Sequence, residues 1–235
     1  MNIILLRPQD WRDTSTVELK DRRHTHIREV LKPAIGSSLR VGELGGNRGE
    51  GIVTTLTEEA TELTVSLAEP PPIRHPFDIA LALPRPKMLR RVLRTAAEMG
   101  VAHLHLIHSA RVEKSFWQSP LLQPERIADA LQAGLERSGD TLLPSVHLHR
   151  FFRPFIEDTA PDLLENRRGW IAHPGAPEPI SGESGRALVM LGPEGGFVPF
   201  ELELAKAAGF IAGRLGARTL SVDTAVAAAL SQALA

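Results

Sequence analysis

The sequence predicts a small, mostly β domain of hairpins over residues 1–70, followed by an α/β domain with a mostly parallel sheet covered on both faces. Three observations lead there. Short segments rich in Val, Thr and Leu fill the first part. A proline-rich stretch, "EPPPIRHP" (69–76), then interrupts the chain. Beyond it, strand-like and helix-like segments alternate.

In the first part "SSLRVGEL" (37–44), "GEGIVTTL" (49–56) and "ATELTVSLAE" (60–69) show the rough alternation of half-buried strands, separated by "GGNRG" and "TEEAT". Gly45, Gly46, Gly49 and Gly51 lie between two such segments with no Lys-Ser/Thr after them, so they predict a hairpin turn, not a phosphate loop. Pro70, Pro71, Pro72 and Pro76 fix φ and remove backbone donors, which makes 71–76 a linker.

After the linker, "FDIALALP" (77–84) predicts a strand. "KMLRRVLRTAAEMG" (87–100) predicts a helix, because Leu89, Val92, Leu93 and Ala96 recur at helical spacing and Gly100 supplies the stop. "VAHLHLIHS" (101–109) is the next strand. A helix over 125–137 carries Ile127, Ala130, Leu131 and Gly134 on one face. Further strands are predicted at 145–151, 169–174, 186–192 and 211–216, and helices at 199–208 and 223–234.

Composition narrows the class. A hydrophobic fraction of 43% and a charged fraction of 23% are those of an ordinary globular chain. No apolar run reaches membrane-spanning length, and "MNIILLRPQDW" meets Arg7 and Asp10 too early for a signal peptide. Without cysteine there are no disulfides or thiolate metal sites, and a cytoplasmic location is expected. The net charge of −1 gives no global pull toward nucleic acid, so any such binding must come from local patches.

The glycines carry the functional signal. A dinucleotide fold places its glycine-rich turn after the first α/β strand, which here ends in "LPRPK" without glycine; GxxxxGK[ST] is also absent. The glycine-rich turn comes later, in "LGPEGGF" (191–197), at a strand end where open parallel sheets bind ligands. Gly192, Gly195 and Gly196 permit positive φ and leave no Cβ in the way of a flat ligand, and Pro193 stiffens the turn. Pro199 and Glu201 suit the first turn of the next helix. Glu194, a carboxylate among glycines, calls for a cation or a hydroxyl. In a second turn, "RLGARTLSVDTAVAAAL" (214–230), Gly216 ends a strand and Ser221 or Asp223 can cap the last helix. Its small residues Ala225, Ala227, Ala228 and Ala229 allow close backbone packing. The two turns together can clasp one ligand.

These paired motifs resemble those of the 16S ribosomal RNA uridine-N3 methyltransferases, a family of the SPOUT class. "RHTHIREVLKPAIGSSLRV", "KMLRRVLRTAAEMGV", "LQAGLERSGDTLLPSV" and "IAHP" extend the similarity over most of the chain. The resemblance implies a PUA-like β-barrel for RNA, then an α/β domain with a deep trefoil knot, an exception to the rule against threading. It also implies a homodimer, S-adenosylmethionine as cofactor, and N3 of a uridine in 16S rRNA of the small ribosomal subunit (m3U1498) as target. Carried over by position, the cofactor contacts are Ile171, Ala172, His173, Leu191, Gly192, Glu194, Gly195, Gly196, Leu215, Gly216 and Leu220. The N3 proton must leave, and His173 and Glu194 are the candidate bases. Two positions depart from the family, which usually carries arginine where this chain has Asp140 and Ser221. That leaves two other readings open: a catalytically silent RNA-binding relative, and a methyltransferase of the same fold with another RNA target.

The candidate RNA contacts are two basic groups. Lys87, Arg90, Arg91 and Arg94 form a stripe at i, i+3, i+4 and i+7, and Arg22, Arg23 and Arg28 cluster with His24 in the β domain. His103 with His105, and His147 with His149, share strand faces; without a carboxylate or cysteine pattern they line a polar side, and no metal is expected. Trp117 is read as packing.

Overall fold

The computed structural model describes residues 1–181 and 185–233, so the last residue of the helix expected over 223–234 lies outside the described residues. The chain divides into two compact units, Met1–Ile73 with Leu135–Leu143, and Arg74–Gly134 with Pro144–Ala235.

The first unit is a curled five-stranded sheet: β1 (Ile4–Leu6), β2 (Thr16–Leu19), β3 (Ser38–Glu43), β4 (Arg48–Leu56) and β5 (Thr61–Glu69), in the order β1-β3-β4-β5-β2. β1 runs parallel to β3 and every other pairing is antiparallel. The register of β4 against β5 shifts at Arg48/Glu50 and again at Val53/Thr55, and such irregularities bend a strand and raise its twist. At the first shift a Cβ on Gly49 would stand 1.9 Å from the Ser66 carbonyl oxygen, so only glycine allows this approach. The bent sheet wraps a core of Ile4, Leu6, Val17, Leu19, Ile27, Val41, Val53, Leu63 and Val65. A short helix α1 (Arg22–His26), capped by the Asp21 carboxylate on the Arg23 N–H, continues as one π-helical turn to Leu31. Lys32, in the left-handed conformation, ends it.

Arg23 corrects one expectation. It is 3% exposed, and its guanidinium donates to both carboxylate oxygens of Asp10, to Asp21 and to the Leu5 carbonyl. Burial works against its charge, but the hydrogen bonds of Asp10 and Asp21 more than offset this and raise its pKa. It therefore ties β1 to the α1 cap and is closed to RNA. Arg22 pairs with Glu136, and Arg28 donates to the Glu58 carbonyl beside Glu29. Asp140 is buried, its carboxylate capping the N–H groups of Thr141 and Leu142 at 2.6 and 3.1 Å, so this residue holds a turn.

The second unit is built on seven strands: β6 (Phe77–Ala82), β7 (His103–Ile107), β8 (Ser145–His149), β9 (Arg168–Ala172), β10 (Glu178–Pro179), β11 (Ala187–Leu191) and β12 (Phe210–Arg214). All pairings are parallel, in the order β10-β12-β9-β11-β6-β7-β8. Every residue of β6 and of β11 is buried, as expected of strands covered on both faces. The helices are α2 (Pro86–Glu98), α3 (Pro124–Ser138), α4 (Phe152–Pro154), α5 (Ala160–Leu164), α6 (Pro199–Ala207) and α7 (Val222–Ser231), with a π-helical turn over Phe155–Thr159 between α4 and α5. α2 buries Leu89, Val92, Leu93, Ala96 and Ala97. It receives α3 at Gly134, where a Cβ would lie 2.5 Å from the Arg94 carbonyl oxygen.

β7 and β8 bring four histidines together. His103 Nδ1 lies 3.3 Å from His147 Nε2 and His105 Nδ1 lies 3.1 Å from His149 Nε2, with the His105 and His147 rings stacked at 4.6 Å. Burial, with the neighbouring histidines, pushes the His105 pKa down from 6.5 to about 3; burial lowers His147 and His149 as well. In this window the unfolded chain binds more protons than the folded one. Stability is thus unaffected above pH 6.5 and falls as the pH drops from 6.5 toward 3. The slope approaches about 1.4 kcal/mol per pH unit for each proton. Chemical denaturation at pH 7.5 and at pH 5 is expected to show this loss, and His105→Leu is expected to flatten it. Equal slopes for both proteins would rule the ladder out as the cause.

Candidate functional site

The order of the sheet locates the site. From β6 the chain builds β7 and β8 to one side, then crosses to β9, and later inserts β11 between β9 and β6 before adding β12 beyond β9. The reversal beside β6 is a topological switch point, where loops at the carboxyl ends diverge and leave a crevice. "LGPEGGF" leaves β11 at that point.

Next to it, at the ends of β9 and β11, is a cavity of about 590 Å³ with three walls. Ala172, His173 and Pro174 come from the end of β9, residues 191–197 from β11, and Leu215, Gly216, Arg218, Thr219, Leu220, Ser221, Val222 and Ala225 from the loop between β12 and α7. Arg111, from the loop after β7, completes it. Of the residues expected at the cofactor, Ile171 is fully buried behind the wall; the others line the cavity.

The glycine turn closes with the Gly196 N–H on the Pro193 carbonyl at 2.8 Å, and Gly196 takes φ +71°. It is laced by two arginines. The Arg111 guanidinium donates to the Gly195 carbonyl, and Arg85 Nε donates to the Glu194 carboxylate at 3.3 Å, which supplies the cation that this carboxylate called for. The buried Glu201 accepts from the N–H groups of Val198 and Ala110 at 2.9 and 2.7 Å and from the Ser109 hydroxyl at 3.3 Å. One carboxylate thus caps α6 and fastens the loop after β7 to the base of the glycine turn. The sequence marked Glu201 only as a helix-dipole residue. Arg85 and Arg111 carried no signal, because their partners lie 109 and 84 positions away.

The second turn is ordered by side chains. The Ser221 hydroxyl donates to the Asp223 carboxylate at 2.6 Å, and Arg91 of α2 pairs with the same carboxylate at 3.3 Å. The Ser221 hydroxyl chiefly, with Arg91, holds the Asp223 carboxyl below its ordinary range. Arg91 is thereby engaged with α7, whereas Lys87, Arg90 and Arg94 are exposed and carry no acidic partner among the described residues. At the third wall, His173 Nδ1 accepts from the Gly175 N–H at 3.1 Å. A backbone N–H only donates, so the neutral ring carries its proton on Nε2 and acts there as a donor. Among the described residues no group of three or more His, Asp or Glu is placed to hold a metal ion, and no helix is long and apolar enough to cross a membrane.

A parallel sheet with a glycine-walled cavity at its strand ends, closed by a late-inserted strand and the loop before the last helix, defines an α/β-knot (SPOUT) protein, with a β-barrel-like unit earlier in the chain. The sequence profile of the RNA methyltransferase domain family matches residues 71–234, and the chain belongs to that family. Ribosomal RNA small subunit methyltransferase E of Treponema pallidum is 28% identical over 246 aligned positions, covering 100% of this chain and 91% of the relative. The protein of the same name from Synechocystis is 28% identical, with 93% and 72% covered. Among solved structures, Ribosomal RNA small subunit methyltransferase E of Neisseria gonorrhoeae, bound to S-adenosyl methionine, shares the fold with a TM-score of 0.76. It is 22% identical, with 98% of this chain and 95% of that one covered.

Proposed function

We propose that this protein transfers a methyl group from S-adenosylmethionine to N3 of a uridine in 16S ribosomal RNA, as a cytoplasmic homodimer acting on the small subunit or its assembly intermediates. The observation that carries the reading is the cavity between the two glycine-bearing turns. Its volume of about 590 Å³ suits a nucleoside-sized ligand, and its walls lack side chains at Gly195, Gly196 and Gly216. Apolar Leu191, Leu215 and Leu220 provide a dry surface for a flat ring, and backbone groups of the glycine turn provide polar edges. The names of the relatives support small-subunit rRNA as substrate.

The cofactor supplies an electrophilic methyl group. The chain's own part is to hold its two ends and to present the base in line, unstacked from its neighbours. Glu194, balanced by Arg85, can accept a ribose hydroxyl. His173, with its proton on Nε2, suits donation to a base carbonyl better than abstraction of the N3 proton. Glu194 is then the remaining carboxylate at the cavity for that proton. In this reading Lys87, Arg90 and Arg94 contact RNA phosphates, and Arg22 and Arg28 are separate candidate contacts within the first unit. Ser221 faces the cavity where the family usually carries arginine.

Calorimetry with S-adenosylmethionine and mass spectrometry of 16S rRNA from cells lacking the gene test the two halves. No heat of binding would leave a silent RNA binder, and unchanged N3-methyluridine would move the reaction to another target. Gly195→Val is a sharper probe of the site. Its Cβ would approach Arg111 Cδ to 3.0 Å, so the branch displaces a flexible side chain and fills the cavity while the backbone stays. Loss of cofactor binding is expected with a melting temperature within a few degrees of the parent; binding at the parent affinity would reduce the turn to a connection.

A further inference from the structure

Beside the cavity is a second concavity that the transfer reaction does not use. It has a volume of about 390 Å³, and its lining includes His108, Phe151, Phe152, Arg153, Phe200 and Glu201. One layer of rings divides the two: Phe197, on the cavity wall, packs against Phe152 with centroids 5.9 Å apart.

Its surface combines apolar rings with cations. Phe151 is 70% exposed and Phe200 55%, in a protein that buries nearly all its other aromatic rings. The Arg153 guanidinium lies 5.3 Å from the Phe200 ring centroid, and Arg150, adjacent to Phe151, lies at the same distance over Trp117. The acids nearby are occupied. Glu201 is committed to Ala110, Val198 and Ser109, and Glu157 pairs with Arg153 at 2.9 Å. The Trp117 indole N–H donates to His108 Nδ1 at 2.9 Å. An indole can only donate, so neutral His108 presents a donor at Nε2.

Exposed π-faces beside a fixed donor, with Arg150 as the cation that has no acidic partner among the described residues, match an unpaired nucleotide, whose base stacks while its phosphate meets that arginine. We propose that this groove stacks a base of the RNA flanking the nucleotide presented to the cavity. The proposal rests on the chain acting on RNA and adds a site that positions the strand.

The test uses the full chain and a single-stranded RNA of about ten nucleotides carrying 2-aminopurine, whose fluorescence is quenched by stacking. The parent is expected to quench it on binding. Phe151→Ala with Phe200→Ala is expected to lower affinity roughly ten-fold or more and to remove the quench. Phe200→Trp is expected to retain both, and the affinity for S-adenosylmethionine is expected to be unchanged in every variant. Equal RNA affinity in the parent and the double variant overturns the proposal, as does a parent that does not bind the oligonucleotide. Conversion of a dimer to a monomer by light scattering, with RNA affinity kept, identifies the groove as a contact between copies instead. The assay needs no methyl transfer, so loss of the target assignment and loss of the groove are read separately.

Discussion

Glu201→Ala is expected to destabilise the protein by about 3 kcal/mol and to lower the affinity for S-adenosylmethionine at least ten-fold. The carboxylate is 3% exposed and satisfies two backbone N–H groups, those of Ala110 and Val198, besides the Ser109 hydroxyl. Alanine removes the acceptor shared by all three donors; the Ser109 hydroxyl is fully buried and the two N–H groups are partly so, and a buried orphaned group costs about 1–3 kcal/mol. The second effect is geometric. The loop after β7 also sends Arg111 to the Gly195 carbonyl, so releasing that loop frees the glycine turn from this support. Urea unfolding and calorimetry on the same sample measure both quantities. A variant with normal cofactor affinity at reduced stability would show that the turn keeps its shape without the clasp.

Arg23→Ala is expected to cost about 3–5 kcal/mol, the usual effect of breaking a buried ion pair from one side. Asp10, 6% exposed, would lose both guanidinium bonds while keeping the hydrogen bond from the Arg7 N–H at 2.6 Å. The expected readout is a lower denaturation midpoint for the first unit. RNA affinity per folded molecule is expected to stay at the parent value, because the guanidinium never reaches solvent. Arg90→Ala, on the exposed stripe, is expected to do the reverse. A loss of RNA affinity in fully folded Arg23→Ala protein would return this residue to the binding surface.

Local order was legible wherever one period dominated. α2 followed from Leu89, Val92, Leu93 and Ala96, β11 from an unbroken apolar run and β6 from a run broken only by Asp78. β1 and β2, with 3 and 4 residues, are too short to show alternation. The segment "FFRPFIEDTAPDLL" hides its helices because Pro154 and Pro161 interrupt the pattern. Two π-helical turns, over Ile27–Leu31 and Phe155–Thr159, follow no period the sequence reading used.

At the site, the glycines were legible because backbone geometry restricts residue type at a single position. The residues that brace them were not. Arg85, Arg111 and Glu201 look like ordinary surface charges in the chain, and only folding brings them to the turn. Arg23 shows the converse: the run "RRH" reads as a basic patch until Asp10, 13 residues earlier, is seen to take its charge.

The position of β11 also sets a schedule for synthesis. β6 is made long before it and β9 shortly before it, and the two do not pair with each other in the finished sheet, because β11 pairs with both. Until residue 191 has left the ribosome, each of these strands presents an edge of unpaired N–H and C=O groups, a condition that invites association with other chains. The same strand that opens the ligand site therefore joins the two halves of the sheet, before β12 covers the other edge of β9. Nascent chains that have released β9 but not yet β11 from the ribosome would be the ones that most need a chaperone.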